Sequence, residues 1–119
     1  MRIDVITLFP EMFPPVLDAS ILKRAQEAGL VQIAVRNLRD YTKDKRRTVD
    51  DRPFGGGPGM VMKPEPIFAA VEDVEAKRHR AARTSRAKSR ERSCRIVAMA
   101  PGGLPLSQAL AQELARLSH

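Results

Sequence analysis

The stretch RIDVITLFPEMFPPVLDASILKRAQEAGLVQIAVRN, residues 2–37, decides the fold class. Residues 2–8 alternate in polarity and are rich in β-branched side chains, a pattern that predicts a β-strand. Residues 20–30 carry apolar side chains at helical spacing, and residues 30–37 alternate like a second strand. Two strands joined by a helix of this length favour a parallel crossover, so the sequence predicts an α/β fold.

Turn residues set the boundaries of the helices in this stretch. Pro14 and Pro15 predict a short helix that begins with proline, because proline lacks the N–H that a helix interior needs. Ser20 can cap the next helix with its hydroxyl, and Gly29 is typical of a left-handed C-terminal stop. Two short helices are therefore expected between the strands.

The second half of the chain extends this pattern. A helix is predicted to begin near Pro64, residues 94–100 (CRIVAMA) are predicted to form a third strand, and Ser107 is predicted to cap a last helix. In the first of these helices, we expect one buried stripe, formed by Ile67, Val71 and Val74. Three parallel strands make a thin sheet, so we expect either a chain that continues past His119 or a partner that completes it.

Length and composition exclude several classes of protein. The 119 residues are enough for one domain, and no apolar run is long enough to span a membrane. The N-terminus lacks the features of a signal peptide, so we expect a cytoplasmic protein without a membrane anchor. Cys94 is the single cysteine, which excludes an intrachain disulfide and a cysteine-based metal cluster. We therefore predict no metal site.

Positive charge is concentrated in one segment. Between Lys77 and Arg95, nine Lys or Arg residues accompany one acid, Glu91, a net +8 in a chain whose total is +7. The segment at about 77–93 is therefore a basic insert in a nearly neutral domain. It fits either a solvated loop or helical extension, or a contact to a phosphate backbone, and it carries no aromatic residue for stacking on bases.

The stretch RRTVDDRPFGGGPGMVMK, residues 46–63, combines charge with backbone freedom. It is not a P-loop, because Lys63 follows methionine and precedes proline instead of completing a Gly-Lys-Ser/Thr pattern. It is not a dinucleotide-binding turn either, since no strand directly precedes the glycines. A slack linker is disfavoured by the apolar residues at both ends, Phe54 and Met60, which we expect to be buried anchors.

A structured loop is the remaining interpretation. Its glycines, Gly55, Gly56, Gly57 and Gly59, permit positive φ and close approach of the backbone, and Pro58 stiffens the tip. Such a surface can lie flat against a base or a sugar. The alternative, a tight connection between packed elements, stays open on these residues alone.

Three motifs together resemble one known family. LFPEMF at 8–13, RDYTKDKRRTVDDRPFGGGPGMVM at 39–62, and the proline and glycines after the third predicted strand resemble the bacterial tRNA (guanine-N1-)-methyltransferases of the TrmD type. The resemblance implies an α/β, parallel-sheet, SPOUT-like domain of the trefoil-knot methyltransferases, of which this chain would be the N-terminal part, truncated before the knot. It also implies an obligate homodimer and S-adenosyl-L-methionine as cofactor. The implied substrate is tRNA, methylated at N1 of the guanosine 3′ of the anticodon.

The resemblance assigns residues to the tRNA anticodon stem-loop. By this resemblance, Arg52 would contact a phosphate or a base and Asp50 would organise the loop. Its tRNA-facing residues would be Asp50, Arg52, Gly57, Pro58 and Gly59, with Arg46 and Arg47 as phosphate contacts beside Lys45. A solvated loop is the alternative for these last basic residues. The target base would lie against Pro58 and Gly59 after leaving its stack, which costs little in a single-stranded loop.

The resemblance also assigns a cofactor-facing segment, Met99, Ala100, Pro101, Gly102 and Gly103. The family usually has Ser-Pro-Gln-Gly where this chain has Ala-Pro-Gly-Gly at 100–103, so a hydroxyl and an amide are missing. Contacts made through the backbone would survive this change, whereas side-chain contacts would not.

No catalytic residue is assigned within the chain. The general base that the family is thought to use, an aspartate, lies beyond the equivalent of His119, as do the knot and a small C-terminal domain. We therefore expect the isolated 119 residues to bind cofactor weakly and to transfer no methyl group. The alternative is a non-catalytic RNA-binding module derived from this family.

Overall fold

The structure, a computed structural model, describes residues 1–84 and 93–119. Strand β1 (Arg2–Thr7) pairs in parallel with strand β2 (Gln32–Asn37), with Arg2 opposite Gln32 at one end of the ladder. The predicted parallel crossover is therefore confirmed. The connection between the two strands contains a 3₁₀ turn and two helices, namely Pro10–Met12, α1 (Pro14–Leu17) and α2 (Ser20–Glu27).

The ends of α2 bear out one boundary prediction and correct another. Gly29 has φ of 67°, and its N–H donates to the Gln26 carbonyl at 2.9 Å, so the left-handed stop is confirmed. The predicted cap at Ser20 is wrong. Ala19 is the extended residue before the helix and occupies the cap position, and no side chain there accepts a backbone hydrogen bond. Ser20 is the first helical residue instead.

The chain after β2 forms a small hairpin and two further helices. A 3₁₀ turn at Leu38–Tyr41 is followed by antiparallel strands β3 (Asp50–Asp51) and β4 (Val61–Met62). Helix α3 spans Pro64–Thr84, so its predicted start is confirmed. Helix α4 spans Gln108–Ala115. The predicted cap of α4 is confirmed, since the Ser107 hydroxyl accepts from the Leu110 N–H at 3.2 Å.

The core lies beneath the hairpin. Leu38, Val49 and Ala70 are at most 2% exposed and form one cluster, against which Ile6, Leu8 and Tyr41 pack. The buried stripe of α3 therefore runs along Ala70 and Val74, and Ile67, predicted to be buried, is 36% exposed. Of the predicted stripe, Val74 is buried as expected, whereas Ala70 is buried in place of the neighbouring Val71 because Leu38 of the 3₁₀ turn packs against Ala70.

The predicted third strand is wrong. The residues at 94–100 are described without regular secondary structure, and Ile96, Val97 and Met99 are 65%, 53% and 93% exposed. At the start of the segment the Arg95 N–H donates to the His119 carbonyl at 3.2 Å, and at its end the Ala100 carbonyl accepts within a local turn, but no strand ladder forms in the part of the chain that the structure describes. Branched side chains favour a strand only where a neighbouring strand supplies a ladder, and no such neighbour flanks 96–100 within the described residues.

The basic insert lies partly outside the described residues. Its first residues belong to α3, which ends at Thr84, whereas residues 85–92 are not described. None of the helices that the structure describes is both long and apolar enough to cross a membrane.

Candidate nucleic-acid interface

The glycine-rich stretch is the loop of the hairpin formed by β3 and β4. Asp50 lies opposite Met62 and Asp51 opposite Val61, so residues 52–60 form the connection. The base of the hairpin is closed on the core, because the Lys63 N–H donates to the carbonyl of the fully buried Val49 at 2.8 Å. The loop therefore projects from a fixed base.

The loop has an open backbone. Gly55, Gly56, Gly57 and Gly59 have φ of 82°, 81°, 119° and 90°, and a Cβ added to any of them would meet nothing within 4 Å. The prediction that these glycines supply positive φ is confirmed. A flat ligand can therefore approach the backbone without displacing side chains.

Phe54 and Met60 are not the buried anchors that the sequence predicts. Phe54 is fully exposed and Met60 is 57% exposed. Both residues lie on the hairpin, and within residues 1–84 and 93–119 neither belongs to the apolar residues that pack on the core formed by Leu38 and Val49. Their exposed surface is available to a ligand instead.

A tight turn at residues 44–48 precedes the hairpin. The Asp44 carboxylate accepts hydrogen bonds from the Thr48 hydroxyl at 2.9 Å and from the Thr48 N–H at 3.1 Å. These bonds lower the pKa of Asp44, because they stabilise its charged form. Arg47 takes φ of 52° within the turn, and the exposed side chains of Lys45 and Arg46 point a positive surface toward solvent.

Arg47 is partly engaged within the protein. Its guanidinium forms an ion pair with Asp40 at 3.1 Å, and its carbonyl accepts from Arg39 at 3.2 Å. Both partners lie on the 3₁₀ turn after β2. We call this 3₁₀ turn and the core residues Leu38, Val49 and Ala70 the platform, and both the basic turn and the hairpin are attached to it. Because the Arg47 and Asp40 side chains are 63% and 59% exposed, the pair is weak enough to exchange for a phosphate.

Asp73 on α3 joins the helix to this platform. Its carboxylate accepts from the Tyr41 hydroxyl at 2.8 Å and from the Lys77 ammonium at 2.5 Å, and Arg36 lies 3.9 Å away. The hydrogen bonds from Lys77 and then Tyr41 lower the pKa of Asp73. Burial and the hydrogen bond to Asp73 raise the pKa of Tyr41.

This arrangement makes a prediction about the single tyrosine of the chain. We expect Tyr41 to ionise above about pH 10, the ordinary value for tyrosine, and Asp73→Asn to lower its ionisation midpoint. The ultraviolet absorbance of tyrosinate during an alkaline titration of the 119-residue chain measures both. Glu72→Gln, one residue away on α3, is the control. Equal midpoints for Asp73→Asn and the original chain would contradict the contact.

A cluster of charged side chains surrounds Asp4 of β1. The Asp4 carboxylate, 3% exposed, contacts Arg2 at 2.7 Å, Arg36 at 2.7 Å and His119 at 2.8 Å. Burial opposes its ionisation, but the hydrogen bonds from Arg2, His119 and Arg36 outweigh that cost and hold the pKa of Asp4 well below its usual range.

Sequence reasoning missed this cluster, although a signal was present. Asp4 pairs with Ala34 across the two strands, and Arg2 and Arg36 each lie two residues from that pair on the same face of the sheet. An acid in a strand of branched apolar residues, with basic residues at this spacing, is the pattern of a buried ion pair. Recognising it requires the register, which the sequence alone did not supply.

The predicted cofactor segment forms an exposed turn. The Gly103 N–H donates to the Ala100 carbonyl at 3.0 Å, and a Cβ on Gly103 would lie 3.1 Å from that oxygen, so glycine keeps the turn tight. All five residues from Met99 to Gly103 are exposed. The backbone of this turn and the Met99 side chain are therefore accessible from solvent.

The predicted RNA-facing residues share the hairpin and the turn before it, and the predicted cofactor residues lie on a separate turn. The loop at 52–60 and the turn at 44–48 meet at the buried Val49. Within residues 1–84 and 93–119, no hydrogen bond or ion pair joins this surface to residues 99–103. In the same part of the chain, no group of three or more His, Cys, Asp or Glu side chains could hold a metal ion.

Comparison with known proteins identifies the family. All of residues 1–119 match the family model described as tRNA (Guanine-1)-methyltransferase TrmD. The chain belongs to the TrmD family. Among curated proteins, it is 47% identical over 119 residues to the tRNA (guanine-N(1)-)-methyltransferase of Dictyoglomus turgidum, and 50% identical over 116 residues to that of Pelotomaculum thermopropionicum.

These TrmD relatives are longer than the chain. The match covers 100% and 98% of the chain respectively, but 42% of the length of each relative. A solved structure, the tRNA (m1G37) methyltransferase from Aquifex aeolicus, matches with a TM-score of 0.61 and 38% identity over 65% of the chain and 34% of that protein. The parallel strands and crossover helices thus fit the α/β, SPOUT-like fold expected for a TrmD protein.

Proposed function

We propose that this chain is part of a tRNA methyltransferase that transfers a methyl group to N1 of the guanosine directly 3′ of the anticodon. The observation that carries the proposal is the exposed hairpin loop at 52–60 in a member of the TrmD family. Its backbone is open to a flat ligand at four glycines, and positive side chains flank its base. This combination suits an unpaired base with its phosphates.

The loop would hold the target nucleotide. Arg52, exposed at the start of the loop, contacts a phosphate or base, while Asp50, half-buried in β3, keeps the loop in register with β4. Gly57, Pro58 and Gly59 lie against the guanine that has left its stack. The cost of extruding that base is small because an anticodon loop is already single-stranded.

The basic turn would guide the RNA backbone. Arg46 is exposed, and Arg47 can exchange its solvent-exposed pair with Asp40 for a phosphate oxygen. The basic insert at about 77–93 is a second place where phosphates could be held. Charge of this kind raises affinity for any RNA, whereas the loop at 52–60 selects the unpaired base.

The cofactor would be S-adenosyl-L-methionine, held in part by Met99, Ala100, Pro101, Gly102 and Gly103. When bound, it supplies an electrophilic methyl group on a sulfonium. Ala100 and Gly102 offer no polar side chain, so this chain contributes backbone contacts and the apolar surface of Met99. The exposed turn at 100–103 leaves that backbone accessible.

The remaining parts of the proposal come from the family. Guanine N1 is a weak acid, so transfer requires a base that removes its proton and a positive group near O6. That base, the trefoil knot and the homodimer contacts would complete the site. We assign none of them to residues 1–119. The enzyme would act in the cytoplasm, where tRNA is modified.

A methylation assay tests the proposed function. The protein at the full length that its gene encodes is incubated with an unmodified tRNA transcript and S-adenosyl-L-methionine, and the nucleosides are analysed by mass spectrometry. We expect 1-methylguanosine, and none from a transcript with adenosine in place of the target guanosine. Binding of the transcript without methylation would instead support a non-catalytic RNA-binding module.

Arg52→Ala tests the phosphate contact separately. Because Arg52 is exposed, we expect unchanged stability but weaker binding to every RNA, with the slope of log K against log salt reduced in magnitude by about 0.7 to 0.9. Fluorescence anisotropy with an anticodon stem-loop RNA across a salt series measures this. Arg24→Ala, which removes an exposed arginine from α2, should leave the slope unchanged. Equal slopes for both variants would exclude the Arg52 contact.

A further inference from the structure

Phe54 is an aromatic side chain with no protein partner in the described part of the chain. Phe54 is fully exposed. The chain has few aromatic residues, with four phenylalanines, one tyrosine and no tryptophan, so leaving one of them in water is notable. Burial of a phenylalanine ring is strongly favourable, so a ring left in water gains that free energy only from a ligand.

The backbone that carries the ring is held in a turn. The Gly56 N–H donates to the Pro53 carbonyl at 3.2 Å, which places Phe54 directly after proline in a four-residue hydrogen-bonded turn. Gly55 and Gly56 carry no side chains, and their surroundings are open to 4 Å. Both faces of the ring are therefore free of neighbouring side chains from the following residues.

The surroundings of the ring favour a nucleic acid over a protein. Arg52 lies two residues before it, and the basic turn with Arg46 and Arg47 is tied to the base of the same hairpin. A protein interface needs a continuous apolar surface around its anchor. Met60 and Val61 are also exposed on this hairpin, but Gly55 and Gly56 beside the ring carry no side chains and interrupt the apolar surface. A nucleobase needs only one face of the ring, with positive charge nearby for its phosphate.

We propose that Phe54 is a stacking platform for an unpaired nucleobase of the anticodon loop. This inference rests on the proposed function and adds a second base contact to the loop, beside the surface formed by Pro58 and Gly59. A ring-to-base stack tolerates any base, so Phe54 contributes affinity and position without adding sequence preference.

The test compares three variants of the full-length protein. We expect Phe54→Leu, which keeps an apolar side chain but removes the ring, to weaken binding of an anticodon stem-loop RNA by about 5- to 150-fold. Phe54→Trp should retain most of the affinity because it keeps an aromatic face. Phe68→Leu is the matched control, because Phe68 is also an exposed phenylalanine, 66%, but lies on α3. It should bind RNA like the original protein.

An RNA series locates the stacked base. Replacing the stacked nucleotide with an abasic site should weaken binding by the original protein but add little further loss in Phe54→Leu. Wild-type affinity for Phe54→Leu, or a change in its oligomeric state with unchanged RNA affinity, would overturn the stacking and assign the ring to a protein contact. If the original protein binds no RNA at all, the proposed function itself fails, so the two failures are distinguishable.

Discussion

Asp4→Asn is expected to lower the free energy of unfolding by about 3 kcal/mol, the largest stability effect that we predict for a single side chain. The carboxylate is 3% exposed and lies between the guanidinium groups of Arg2 and Arg36. Asparagine has nearly the same shape but no charge, so Arg2 would lose its ion pair and, among the described residues, Arg36 would keep only the longer pair with Asp73 at 3.9 Å. The value is at the low end for a broken buried pair because Arg2 is 31% exposed.

Urea denaturation followed by circular dichroism measures this loss. Glu27→Gln is the matched control, since Glu27 is 63% exposed and its pair with Lys23 spans 3.9 Å. We expect that control to change the free energy of unfolding by less than about 0.5 kcal/mol. Equal stability of the Asp4→Asn variant and the control would show that the cluster does not support the fold.

The same cluster predicts how stability depends on pH. The pKa of Asp4 is lower in the folded protein than the unfolded value of about 3.9. Its contribution is therefore complete above the unfolded pKa and is lost as the pH falls through the folded pKa. The difference in stability between the original chain and Asp4→Asn should therefore stay constant from neutral pH to about pH 5 and shrink as the pH falls below about 4.

Gly57→Ala is expected to reduce kcat/KM for tRNA methylation by about 100-fold while costing about 1 kcal/mol of stability. Gly57 has φ of 119°, a conformation that residues with a Cβ rarely adopt, so alanine would force the loop to rearrange. Nothing lies within 4 Å of a Cβ at this position, so the core would not be disturbed. The open surface beside Pro58 and Gly59 would be displaced from the target base.

Gly29→Ala provides the matched control for the backbone effect. Gly29 also has positive φ, 67°, but it ends α2 and lies on none of the surfaces assigned to RNA or cofactor. We expect alanine there to cost about 1 kcal/mol of stability and to leave kcat/KM unchanged for folded protein. Equal kcat/KM for Gly57→Ala and Gly29→Ala would contradict a role for the loop.

The sequence predicted the elements whose determinants are local. The alternation in 2–8 and 30–37 and the stop at Gly29 depend on the residues themselves, and all are found in the structure. The third strand at 94–100 was predicted from the same type of pattern and is absent from the described chain. The difference is the neighbour, because β1 and β2 pair with each other, whereas 96–100 has no partner strand beside it.

The candidate site shows the same division. The positive φ of the loop glycines could be predicted from glycine chemistry, and the motif predicted the family. The exposure of Phe54 could not be predicted, because an aromatic residue beside glycines is typical of a buried anchor. Only the structure shows that the hairpin projects from the core. The Asp4 cluster was missed because its members are far apart in the chain and meet only through the parallel register.

Amide hydrogen exchange of residues 52–60 tests whether the hairpin loop is the surface that contacts tRNA. The full-length protein is measured with and without a saturating anticodon stem-loop RNA, and residues 20–27 of α2 serve as the internal reference. We predict clear slowing of exchange in 52–60 and little change in 20–27. Unchanged exchange in 52–60 with RNA bound would place the RNA elsewhere and contradict the account.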